Sequence, residues 1–304
     1  MDSKCAPGKK YEEGSCINKK TLKIIAENFT NEYGVEFKTD NKKELVEQLE
    51  NQFSKKFKCE DQTCWLKQKF VKKIENPDLF NFTFRPKGPE KKLDWLSTTN
   101  INDVIEQYEK EYDDFLFLGA VPYDFQELRE LELGKELDFK ELESGKLNED
   151  YNKGKKINKF GMVINLDPHY KGGSHWVALY SNLDKNQIYF FDSFGKKPKK
   201  NIRKFINKIT KYLYKKKYNQ KLNLNSLITD LKNNNSSNQI ENLSKFDIRY
   251  NDIQHQVKNT ECGVYSINFI IRLVHGETFD NITKNITRDD NMNDCREVYF
   301  RNEY

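Results

Sequence analysis

Three short apolar runs between residues 160 and 192 constrain this chain more than any other feature. Phe160–Leu166, His175–Ser181 and Gln187–Asp192 are rich in β-branched and aromatic residues. Turn-prone Lys171-Gly172-Gly173-Ser174 and Asn182-Leu183-Asp184-Lys185-Asn186 separate them, which predicts three adjacent strands. Phe246–Tyr250 reads as one more strand. Cys262–His275 is apolar on most sides, as a buried helix is. Ile202, Phe205, Ile206, Ile209 and Leu213 recur at three- and four-residue steps, the spacing of an amphipathic helix. The expected fold is α+β, with a central, mostly antiparallel sheet flanked by helices.

Ahead of that core, Lys20–Tyr33, Asn41–Phe57 and Gln62–Ile74 show helical apolar spacing. Phe84-Arg85-Pro86-Lys87-Gly88-Pro89 then makes continued helix improbable. A boundary there gives a small helical domain over 1–85 and a second domain over 86–304. Ile101–Phe115 is predicted helical, and the Asn- and Ser-rich Leu231–Ser244 reads as a flexible surface insertion.

A 36% hydrophobic fraction with 13% aromatics supports a packed core, and a net charge of +5 excludes a strongly cationic nucleic-acid binder judged by charge alone. The charge is uneven, however. Residues 101–150 hold 16 acids against 5 bases, and 196–217 hold 11 bases and no acid. The basic helix is either a solvated face or a docking strip for nucleic acid or an acidic partner. No apolar run approaches the roughly 18 to 20 residues of a membrane span, and Met1–Lys10 lacks a signal-peptide core. The chain therefore reads as intracellular, with its six cysteines as thiols, metal ligands or catalysts rather than disulfides. Cys5, Cys16, Cys59 and Cys64 lack the CxxC pairs of a zinc ribbon, so buried thiols are expected and no metal site. Cys295 carries no partner signal.

Only four histidines are available for acid–base work. His169, in a turn region, and His275, at a helix end, read as structural; His255 lies seven residues before Cys262. His175 heads its strand beside a Gly-Gly turn, where a side chain can face a cleft. Antiparallel pairing with the next strand brings Asp192 to the same end, where its carboxylate can orient the imidazole. Cys262 opens the apolar helix, and the positive end of a helix dipole favours thiolate over thiol. With a histidine in reach, a thiolate–imidazolium nucleophile follows. Gln256 could supply an amide N–H to an oxyanion, and Asn259 is the alternative donor.

The order Gly173-Ser174-His175-Trp176, Phe191-Asp192-Ser193, and Gln256 followed after five residues by Cys262-Gly263-Val264-Tyr265 resembles the Ulp1/SENP and adenain superfamily of cysteine proteases. His255-Gln256, Thr260-Glu261-Cys262-Gly263, and Phe160-Gly161 leading to Asn165 are similar to its branch in African swine fever virus and giant viruses. The likeness covers about 90–304 well and the first 85 residues more loosely. It implies an Ulp1-like core, Cys262 as nucleophile, His175 as general base, Asp192 as orienting acid and Gln256 in the oxyanion hole. Trp176 and Trp95 would close over a substrate Gly-Gly, with core packing the competing reading for Trp95. No cofactor is implied. The implied activity is cleavage after Gly-Gly-type motifs in viral structural polyproteins during particle maturation, in a virion or viral factory. The alternative is an isopeptidase acting on a ubiquitin-like modifier.

Overall fold

The computed structural model describes residues 4–128, 131, 133, 138–140, 156–219 and 246–301. It divides into two compact units: Met1–Gly88 with Glu297–Glu303, and Pro89–Arg296. The predicted insertion at Leu231–Ser244 lies outside the described residues.

In the first unit, α1 (Lys19–Tyr33) starts where the Asn18 side chain accepts from the Thr21 N–H and ends at left-handed Gly34. Helix α2 (Lys42–Phe57) starts in the same way at Asn41. Gln62–Ile74 is not the single helix its spacing predicts. It divides into α3 (Gln62–Leu66) and α4 (Lys69–Lys72), because Gln68 takes an extended conformation with ψ 139°. The break turns both Trp65 and Phe70 onto Phe53, at ring-centroid distances of 4.9 and 5.8 Å. A short α5 (Pro77–Asn81) follows.

The cysteines of this unit correct the expectation of free thiols. Cys5 is disulfide-bonded to Cys16 and Cys59 to Cys64, each pair with a Cα separation of 5.5 Å, within the usual span of the bond. Inference from compartment says nothing about which sulfurs the fold brings together. Bonded in this way, the four sulfurs are not available as zinc thiolates.

In the second unit, α6 (Thr98–Glu111) opens with a capping box between Ser97 and Asn100. It stops at Tyr112, which is extended, so Phe115 begins a strand instead of ending the predicted helix. Among the described residues five strands follow: β1 (Phe115–Val121), β2 (Lys159–Asn165), β3 (Trp176–Asn182), β4 (Gln187–Phe191) and β5 (Asp247–Tyr250), in sheet order 1-2-3-4-5. The α+β expectation holds. The central pairs β2–β3 and β3–β4 are antiparallel, while β1–β2 and β4–β5 are parallel, so the sheet is mixed.

Helices cover both faces of the sheet, which is why its strands read as continuous apolar runs. Phe160, Met162, Ile164, Val177, Leu179, Ile188 and Phe190 share a core with Ile202, Phe205, Ile206, Ile209 and Leu213 of α7 (Lys200–Tyr218). The alternate residues meet α8 (Cys262–Val274). Phe191 stacks on Phe269 at 4.8 Å, and a Cβ added to Gly161 would lie 2.9 Å from Ile270. This packing sets the N-terminus of α8 beside the ends of β3 and β4.

Candidate active site

At that junction the structure brings His175 and Asp192 together, with Nε2 and Oδ1 2.8 Å apart. The Cys262 side chain acts on the same imidazole and favours its charged form. Burial works against the imidazolium, but the bonds and charges of Asp192 and Cys262 outweigh it and push His175 up to about 9. The imidazole is therefore charged at neutral pH. Cys262 is 3% exposed and is the first residue of α8, and the side chain of the N-cap residue, Glu261, makes no capping bond there. A thiol there meets the helix dipole and a cationic ring together.

Asp192 is held from several sides. Its Oδ1 accepts from the Phe194 N–H (2.9 Å), its own N–H donates to Asn251 Oδ1, and Asn251 Nδ2 donates back to its carbonyl, both at 2.8 Å. Asn251 is 1% exposed. The sequence reading passed over it, and an Asn just beyond a strand gives no periodic signal.

Gln256 is fully buried, whereas Asn259 is exposed. The Ser193 hydroxyl donates to Gln256 Oε1 at 2.6 Å, which fixes the orientation of the amide. Among the described residues its buried Nε2 has no hydrogen-bond partner. An unsatisfied buried donor costs about 1–3 kcal/mol, so it is expected where a substrate atom completes it. Of the two candidate donors, only Gln256 has this arrangement.

A cleft of about 520 Å³ opens beside His175, lined by Trp95, Leu96, Asn165, Gly173 and Trp176 among others. Trp176 is 8% exposed and donates its indole N–H to the Leu96 carbonyl at 3.0 Å. Trp95 is 48% exposed, so core packing does not account for it. Gly173 has φ +87°, and a Cβ there would lie 2.6 Å from Asn165 Nδ2. Only glycine suits both the turn and that approach. Gly263 similarly lets Leu96 come against α8, since an added Cβ would lie 3.0 Å from Leu96 Cβ. Leu96 and Asn165 thus shape the cleft, although neither was a sequence candidate.

Of the other histidines, His169 lines the same cleft, and His255 and His275 lie outside its lining. His169 pairs with Asp124 at 2.6 Å, His255 donates Nε2–H to the Thr283 carbonyl, and His275 packs near the rings of Tyr108 and Tyr112.

Residues 155–304 match the Ulp1 protease family, C-terminal catalytic domain. Over 272 residues, the chain is 34% identical to a protein of Acanthamoeba polyphaga mimivirus named as a thiol protease, with 88% of this chain and 78% of that protein covered. The chain belongs to the Ulp1 protease family. It is a cysteine protease. A protein of African swine fever virus (isolate Tick/Malawi/Lil 20-1/1983), named as a cysteine protease, is 23% identical over 228 residues, 72% of each chain. The crystal structure of a selenomethionine form of an African swine fever virus protease matches this Ulp1-family fold with TM-score 0.66 and 19% identity. The match covers 100% of this chain and 97% of the other.

Proposed function

We propose that this Ulp1-family protease hydrolyses peptide bonds after Gly-Gly-type motifs in viral structural polyproteins during particle maturation, acting in the virion or the infected cytoplasm. Cys262 is the nucleophile, His175 the acid–base group, Asp192 its orienting partner and Gln256 an oxyanion donor. The buried His175–Asp192 pair with Cys262 on its imidazole carries the reading, and the unpartnered Gln256 Nε2 supports it.

The chemistry follows from these groups. The Cys262 thiolate attacks the scissile carbonyl carbon, and the carbonyl π electrons move to oxygen. Gln256 Nε2 and the first-turn N–H groups of α8 receive that oxyanion. As the oxyanion collapses, the C–N bond breaks and the His175 imidazolium gives its proton to the leaving amine. A thioester remains on Cys262. Neutral His175 then takes a proton from water, the hydroxide displaces the thiolate, and the acid product leaves with the imidazolium restored.

The cleft supports the specificity. Trp95 and Trp176 both line the cleft beside His175, where the proposed Gly-Gly would lie. Some relatives, at 22% identity, are named SUMO-1 cysteine proteases, and this favours a second reading, isopeptide cleavage of a ubiquitin-like modifier. We further assign the acid-free basic stretch 196–217 as a contact for nucleic acid; salt-independent DNA affinity would refute it.

Two fluorogenic substrates test the reading: a peptide with an internal Gly-Gly-X bond, and a ubiquitin-like modifier with a C-terminal reporter. Cleavage of the peptide, lost in Cys262→Ala, is expected. Preference for the folded modifier would move the assignment to isopeptidase. Turnover that survives Cys262→Ala would overturn it.

A further inference from the structure

The residue before the nucleophile is an acid at a position where an acid would normally interfere. Glu261 is the N-cap of α8, and a carboxylate at an N-cap ordinarily accepts from the N–H groups of the first turn. Here it makes no such bond. Its carboxylate is taken by Arg296: Nε meets Oε2 at 2.8 Å and Nη2 meets Oε1 at 3.2 Å, a forked pair. Asn293 Nδ2 adds a third donor to Oε1 at 3.1 Å, and Arg296 Nη2 also reaches the Thr260 carbonyl at 3.3 Å.

Glu261 is 1% exposed and Arg296 0%. A buried ion pair is rarely worth more to stability than apolar side chains of the same volume. Arg296 Nη1 is, in addition, buried without a partner among the described residues. Stability alone is therefore a poor reason for this pair to stand one residue from Cys262.

Anions gather at helix N-termini, and the oxyanion formed on a Cys262 adduct must be received at this one. Glu261 is an anion covalently attached to the same turn. Left free, its carboxylate would fold onto the first-turn N–H groups and compete with the oxyanion for them. We infer that Arg296 is a positioning residue for the reaction: its fork holds the Glu261 carboxylate away from the N-terminus of α8, so that the first-turn N–H groups stay open to the oxyanion. The inference rests on Cys262 being the nucleophile.

The test compares full-length wild type, Arg296→Met, the double variant Glu261→Leu/Arg296→Met, and Cys262→Ala. The probe is the fluorogenic Gly-Gly-X peptide, with kcat expressed per Cys262 thiolate titrated by iodoacetamide and with the melting temperature recorded. Arg296→Met should lose about tenfold to a hundredfold in kcat per titrated thiolate, less than the roughly hundredfold to thousandfold of a donor removed outright, with KM within about twofold. The double variant, which has no carboxylate to compete, should recover to within about threefold of wild type.

A purely structural role would lower the melting temperature and the number of titrated sites but leave kcat per site unchanged, and that result overturns the inference. A double variant as slow as Arg296→Met overturns it too. Should Arg296→Met fail to fold, the double variant decides alone, because slow turnover per titrated site there refutes the proposal. Turnover retained by Cys262→Ala would instead refute the assignment of the nucleophile, so the two failures are distinguishable.

Discussion

Replacing Asp192 with Asn removes the carboxylate that faces His175 at 2.8 Å while keeping the side-chain volume. The two side chains are 11% and 2% exposed, so solvent screens the pair little. The imidazole stands at about 9 instead of 6.5, a preference for the imidazolium of roughly 3 kcal/mol at about 1.4 kcal/mol per pH unit. Burial opposes the charge, and Asp192 shares with Cys262 the work of overcoming it. Because catalysis by a thiolate–imidazolium pair stops when the imidazolium loses its proton, the alkaline limb of kcat/KM should lie near 9 in the wild type. In Asp192→Asn it should move down by at least about one pH unit, with kcat falling roughly a hundredfold.

The stability effect has a definite sign. A raised folded-state value contributes stability that is fully present below about 6.5 and is lost as pH rises through about 9. The melting-temperature gap between wild type and Asp192→Asn should therefore be wide near pH 6 and narrow near pH 10. The assays are the pH dependence of peptide turnover, the pH dependence of Cys262 alkylation, and melting curves across that range. An alkaline limb that stays near 9 in Asp192→Asn would refute the reasoning, because it would mean that the carboxylate does not sustain the imidazolium.

Gln256→Ala should lower kcat about a hundredfold with little change in KM, since it removes a buried donor that has no partner in the resting enzyme; a KM effect alone, in steady-state kinetics, would contradict this. Gly173→Ala should cost about 1–3 kcal/mol in urea unfolding, because it strains a φ of +87° and drives a methyl group onto Asn165. Cys5→Ala/Cys16→Ala and Cys59→Ala/Cys64→Ala should lower the unfolding free energy of the first unit by about 3 and about 2 kcal/mol, from sequence separations of 11 and 5. Equal melting with and without reductant would count against both bonds.

Residues whose environment is local were legible in the sequence. Strands β2, β3 and β4 are consecutive in the chain, and a short turn joins β3 to β4, so their pattern and pairing could both be read, and with them the approach of His175 to Asp192. The apolar stripe of α7 was legible because a single element carries it. Cys262 was readable as a helix-opening thiol for the same reason. Strand β1 was missed: Phe115–Val121 is a continuous apolar run whose partner, β2, lies some 40 residues away in parallel register. Periodicity alone does not separate such a run from a helix end.

Long-range placement decided the rest. Gln256 and Asn259 carry the same amide chemistry, and only burial against Ser193 distinguishes them. Asn251 holds Asp192 across 59 residues of chain, and Arg296 reaches Glu261 across 35. The disulfides depend on the meeting of cysteines that the inferred compartment had assigned as thiols. By itself the sequence determined which groups can react, because a thiol, an imidazole and a carboxylate keep their chemistry in any fold. Only the tertiary structure decided which of them are desolvated, paired and aimed at one another, because burial and Coulomb attraction depend on distances that the order of residues does not contain.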